Sequence, residues 1–221
     1  MYEHYRDKIA ASTAIADLEL TPGGYILVSV HMRESVGPPE RLEKVLDCPF
    51  AVSEEWKMPV VFSTHPRTRA RLETLSRKDL EGITFHDPFG YFSYQTLQLD
   101  AKCVISESVT ISEESANADF NEVSLREIIE RPGALKSGSM IITGVKPETL
   151  LQAIEIKTTL RTTTVFPEGY GTFKFSNRVL KLSMSTVGKK GWKALRSHAL
   201  AFAFALDKPT CETLSVRFPA G

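Results

Sequence analysis

Short, nearly unbroken apolar runs recur along the chain, and a stretch of helical spacing separates each from the next. "YILVSV" (25–30), behind the turn signal "TPGG", and "PVVFST" (59–64) read as buried strands. "ITF" (83–85), "CVIS" (103–106), "EVSL" (122–125) and "MIIT" (140–143) are shorter candidates. Between them lie "PPERLEKVLD", "PRTRARLETLSR", "FSYQTLQLDA", "ISEESANA" and "KPETLLQAIEIK", the last with Pro147 placed for a first helical turn. Strand and helix alternate five or six times with short connections. That pattern predicts an α/β domain, a doubly wound parallel sheet with helices on both faces. Ligands of such sheets approach the carboxyl ends of the strands, so the loops after the first four strands are where chemistry is expected.

The rest of the chain is organised around that repeat. Residues 1–19 are read as an N-terminal helical segment and 20–157 as the α/β domain. Residues 158–186 are a Thr-rich loop, "TTLRTTTVFPEGYGTF", followed by a helix, "KFSNRVLKLSM". The tail, 187–221, carries six basic and two acidic residues, a balance of 6 − 2 = +4, and does not fit the repeat. It reads as a packing helix, a partner-binding tail or sequence unrelated to the fold's usual ending.

Composition excludes several classes. Lys+Arg and Asp+Glu balance at 27 each, so no overall field favours nucleic acid. The longest apolar run, "ALAFAFAL", is far short of the roughly 20 residues of a membrane span. The amino terminus lacks the apolar core of a signal peptide. Cys48, Cys103 and Cys211 make neither a disulfide framework nor a metal knuckle, and are read as two core thiols and one tail thiol in a reducing compartment. A cytoplasmic protein with no metal and no cofactor is expected.

Candidate chemistry sits in the strand-end loops. In "SVHMRES", His31 can contact a phosphate oxygen or act as acid or base near neutrality; alternatively it caps the next helix or bonds the backbone. In "STHPRTRARL", Arg67, Arg69 and Arg71 cannot all face one ligand, because alternate helical positions point apart. A solvated basic helix is the competing reading, and His65 is the better candidate there. "HDPFGYFSYQTL" brings Phe89, Tyr91, Phe92 and Tyr94 around Pro88 and Gly90, able to stack a base or to seal the sheet edge.

"ISESVTISEES" (105–115) poses the sharpest choice. Ser108 and Thr110 stand where the amides of the next helix point outward, a geometry suited to a diphosphate. Glu113 and Glu114 in the first turn suit the helix dipole but repel phosphate, so one of them would instead accept hydrogen bonds from sugar hydroxyls. Arg131, before Pro132, can serve as a charge clamp. An ordinary capping box, Ser108 or Ser112 with an acid soon after, fits the spacing equally.

Taken together, "VSVHMRES", "VVFSTHPRTRARLE", "PFGYFSYQTLQLDAKCVISES", "TISEESA" and "EIIERPGALKSGSMIITG" resemble the non-hydrolysing UDP-N-acetylglucosamine 2-epimerase family. The resemblance is greatest to the branch that makes UDP-N-acetyl-L-fucosamine from UDP-2-acetamido-2,6-dideoxy-L-talose. It runs in order from about residue 20 to 182 and covers the family's carboxyl-terminal half. It implies a Rossmann-like sheet resembling the C-terminal domain of a GT-B-type fold. It also implies inversion at C2 of a UDP-sugar by anti elimination and re-addition of UDP, supplying nucleotide sugar for surface polysaccharide such as capsule. By the same resemblance His31 is the diphosphate-loop histidine, and Ser108, Val109 and Thr110 form the phosphate turn. Glu114 holds the uridine ribose, Arg131 belongs to the "ERP" motif, and Tyr94 lies near the uracil. Implied partners are a UDP-sugar and either a second copy of the chain or a separate amino-terminal domain. This chain departs from the family in carrying Val109 for a glycine and Met32 after the histidine, and in starting where the family's second domain starts. Alternatives of other classes are a non-catalytic nucleotide-sugar-binding module or remnant, and half of a GT-B UDP-glycosyltransferase.

Overall fold

Apolar residues on both faces of a strand demand cover on both sides, and the first strand shows how this is met. In the computed structural model, Ile26–Ser29 (β1) is buried along its whole length. Ile26, Val28 and Val30 join one core cluster, while Tyr25 and Leu27 join a second on the opposite face. The structure describes residues 2–30, 39–65, 68, 69, 72, 82–127, 140–159 and 181. The chain divides into two units, residues 1–171 and 172–221; the elements below belong to the first.

After a 3₁₀ turn at Glu3–Tyr5 come α1 (Arg6–Ala10) and α2 (Ala14–Asp17), then β1 and α3 (Pro39–Trp56). Strands β2 (Val60–Ser63) and β3 (Ile83–His86) lead to α4 (Tyr91–Asp100). Strand β4 (Cys103–Ser106), α5 (Ile111–Ala118), β5 (Glu122–Ser124) and α6 (Pro147–Thr159) complete the described elements. The five strands form one parallel sheet in the order β3-β2-β1-β4-β5. This is the doubly wound α/β arrangement expected from the alternation. Helices α3 and α6 supply Leu42, Val45, Leu46, Cys48, Val52, Leu150, Ala153 and Ile154 to the first cluster. The second cluster gathers Ala14 of α2, Leu97 of α4, Ile111 of α5 and Phe120.

Two elements differ from the sequence reading. The helix expected over 38–47 continues through Pro49 to Trp56. Cys48 and Val52 extend the buried stripe of Val45 and Leu46, and that burial outweighs the amide hydrogen bond a proline cannot make. "MIIT" is not a strand: it contributes a single parallel bridge, Ile142 to Ser124. Gly144, at φ 63°, then turns the chain toward α6. Of the basic stretch 66–77, Thr68, Arg69 and Leu72 are described, and all are helical. The loop at 160–173 and the tail 187–221, with Cys211, lie outside the described residues. Cys48 and Cys103 are free and buried, and burial pushes both thiols up to about 12. Among the described residues no helix is long and apolar enough to cross a membrane.

Candidate active site

In the order β3-β2-β1-β4-β5, the chain direction across the sheet reverses between β1 and β4. Connections leave these two strands toward opposite sides, opening a crevice at their carboxyl ends. The register sets the floor of this crevice: Ser29 pairs with Ser63 and with Ser106, and Ser106 pairs with Ser124. A row of small hydroxyl side chains therefore crosses the sheet where the loops begin.

The loop from β4 into α5 is folded by its own hydroxyls. Ser108 N–H donates to Ser106 Oγ at 3.0 Å, and Thr110 N–H donates to Ser108 Oγ at 3.3 Å. Ser108 and Thr110 hydroxyls are 3.1 Å apart. Thr110 is the N-cap of α5 yet makes no side-chain cap hydrogen bond. Its hydroxyl instead donates to Glu114 Oε1 at 2.7 Å. The N-cap is therefore neither Ser108 nor Ser112, the two residues that the spacing offered for a capping box. Among the described residues the non-glycine positions with positive φ are Glu19, Lys57 and Asp119, so Val109 occupies the turn without left-handed backbone.

Glu114 is held from a second side. Gln98 of α4 donates through Nε2 to Glu114 Oε2 at 3.0 Å, and Gln95 Nε2 donates to Gln98 Oε1 at 2.6 Å. Gln98 is fully buried. Tyr94, one turn earlier and half-buried, shares a hydrogen bond with the Ser29 hydroxyl, and burial, reinforced by the charge of Glu114, pushes its phenol up to about 12. The side chain thus stays a neutral donor and acceptor across the physiological range. Just past β5, Arg126 donates through a guanidinium N–H to Glu107 O at 3.1 Å, tying that loop to the β4 loop.

Of the sequence-derived candidates, Tyr94, Ser108, Val109, Thr110 and Glu114 are therefore gathered at the β1/β4 crevice. His31 and Arg131 lie outside the described residues, as do Arg67 and Arg71. Arg69 is paired with Asp87 and reaches Phe85 O at 3.4 Å, on the β3 side of the sheet. His65 is exposed. Among the four aromatics, Phe89 stacks on His86 at 4.1 Å, and Tyr91 and Phe92 meet Tyr5 edge-on. Sequence reasoning missed Ser29, Ser106, Gln95 and Gln98. Strands ending alike in serine and a glutamine pair at i, i+3 were the available signals.

A family model described as UDP-N-acetylglucosamine 2-epimerase matches residues 1–182. The UDP-N-acetylglucosamine 2-epimerase of Methanocaldococcus jannaschii is 28% identical over 162 residues, covering 72% of this chain and 44% of that one. The structure of the Rickettsia bellii UDP-N-acetylglucosamine 2-epimerase superimposes with a TM-score of 0.74 at 31% identity, over 86% of this chain and 52% of that chain. The M. jannaschii enzyme in complex with UDP-GlcNAc and UDP shares the fold, with a TM-score of 0.67 at 24% identity, over 81% of this chain and 50% of that one. The chain thus spans about half the length of these relatives. With 182 of its 221 residues matched, the chain belongs to the UDP-N-acetylglucosamine 2-epimerase family.

Proposed function

We propose that this chain supplies the UDP-binding part of a UDP-sugar 2-epimerase. The observation that supports it most is the Ser108–Thr110–Glu114 array at the β1/β4 crevice. In this reading the turn at 108–110 and the amino end of α5 face the diphosphate. Glu114 accepts hydrogen bonds from ribose hydroxyls, and Tyr94 lies toward the uracil. His31 and Arg131 add positive charge at the diphosphate.

The reaction breaks the C2–H and C1–O bonds. The C2 proton passes to a base and the electron pair of that bond forms the C1=C2 double bond. UDP departs with the pair of the C1–O bond. Return of a proton to the other face of C2, and of UDP oxygen to C1, completes the inversion. Departing UDP carries negative charge, so donors fixed where that charge develops lower the barrier. The branch toward L-fucosamine nucleotides, a role in surface polysaccharide and a cytoplasmic location belong to the same proposal. A second reading is a nucleotide-sugar-binding module that is not catalytic by itself. The test is calorimetric titration with UDP, combined with NMR detection of C2 inversion with and without a separately supplied amino-terminal half. Absence of UDP binding refutes both readings, and inversion by the chain alone refutes the module.

Two substitutions probe the anion end. Arg131→Ala is expected to weaken UDP by about 1.5–3 kcal/mol, the scale of a charged hydrogen bond; an unchanged dissociation constant removes Arg131 from the site. Val109→Gly is expected to tighten UDP roughly threefold to tenfold by clearing side-chain atoms from a turn meant for close backbone approach. Since Val109 is not left-handed, relief of backbone strain contributes nothing to that gain. A calorimetric titration showing equal or weaker binding rejects it.

A further inference from the structure

A carboxylate that selects a diol must have its oxygens aimed before the ligand arrives. Glu114 meets that demand through two neighbours. Thr110 occupies one lone pair on Oε1 and Gln98 occupies one on Oε2. Each oxygen keeps further acceptor capacity, so two outward sites remain in a fixed plane. The amide orientations follow from this. A carboxylate only accepts, so Gln98 must present its NH₂ to Glu114 and its carbonyl oxygen to Gln95. Gln95 must in turn present its own NH₂ to that oxygen, as the 2.6 Å contact has it. Gln98 has no solvent exposure and Gln95 is 6% exposed, so water does not compete for either amide.

We infer that Gln98, oriented by Gln95, is a positioning residue that fixes the Glu114 carboxylate for recognition of the vicinal hydroxyls of a ribonucleotide. The inference rests on the reading of Glu114 as the ribose acceptor. Neither glutamine touches the ligand; both act through Glu114. The specificity implied is for ribose over 2′-deoxyribose, because a site built around an aimed acceptor rejects a sugar lacking the matching hydroxyl.

The experiment compares UDP with 2′-deoxy-UDP by calorimetry on the full chain and on two variants, Gln98→Leu and Gln95→Leu. The parent is expected to prefer UDP by about tenfold or more, the scale of one hydrogen bond to a charged group. Gln98→Leu is expected to cut that preference to within about threefold, leaving affinity for 2′-deoxy-UDP nearly unchanged. Gln95→Leu, which retains Gln98 but frees its amide to turn, is expected to lower the preference by a smaller factor, roughly twofold to threefold. It also carries the test should the fully buried position reject leucine. Equal weakening of both nucleotides marks a merely structural role and overturns the inference, as does an unchanged preference in both variants. A parent that binds UDP without preferring it over the deoxy form overturns the role of Glu114, and this inference with it. A parent that binds neither overturns the proposed function itself.

Discussion

Replacing Phe62 by alanine is expected to cost about 3–5 kcal/mol of folding free energy, the range of large-to-small changes in a well-packed core. Phe62 lies in β2, 1% exposed, within the cluster that joins the sheet to α3 and α6. Its ring sits 5.3 Å from that of Phe85 on β3, so truncation removes contacts on two neighbouring strands at once. Against a typical total of about 5–15 kcal/mol, this leaves a chain close to unfolding. Urea denaturation should show a lower midpoint with an unchanged slope. Phe62→Leu, which keeps most of the volume, should lose less than about 1.5 kcal/mol. If alanine costs no more than leucine, the ring is not the packing centre described.

Between pH 4 and pH 8, the stability of Glu122→Leu relative to the parent chain is expected to rise by on the order of 2–3 kcal/mol. Both carboxylate oxygens of Glu122 are buried without a hydrogen-bond partner. Burial pushes this carboxyl from about 4.5 up to about 7, even with Lys157 pulling it down. Below about 4.5 the group is protonated folded and unfolded alike, and no charge is buried. Between about 4.5 and 7 the unfolded chain releases a proton that the folded chain retains, so stability falls as pH rises. Above about 7 the loss levels off. The advantage of the leucine variant should therefore grow across that window and be smallest, and independent of pH, near pH 4 and below. Groups common to both chains cancel in the difference. Melting curves at intervals from pH 4 to 8 that run parallel for the two proteins would refute this account.

Strands and helices were legible because burial on both faces writes itself into nearly continuous apolar runs, as at Ile26–Ser29. The capping-or-anion choice at 105–115 was not, because it turns on where one hydroxyl points. Spacing offered Ser108 or Ser112 as the cap, whereas the N-cap is Thr110, whose hydroxyl goes to a carboxylate also held by Gln98, sixteen residues away. With Gln98 holding Oε2, the carboxylate is within reach of Thr110, and the cap is forgone. The reach of α3 was hidden for a related reason: a proline at 49 disfavours a continuing helix locally, while Cys48 and Val52 on either side of it are buried in the core cluster. In both places, contacts between distant segments overrode a sound local rule.

Helix α4 carries Tyr94, Gln95 and Gln98 toward the crevice, but its other side is held by the first helices of the chain. Thr96 donates its hydroxyl to Ile9 O at 2.6 Å, and Phe92 lies against Tyr5. One ten-residue rod thus has an edge facing the crevice and an edge that grips the amino-terminal segment. This rod gives a free-energy linkage between the seating of that segment and occupancy of the crevice a physical path. By thermodynamic necessity, that linkage has the same size read from either end.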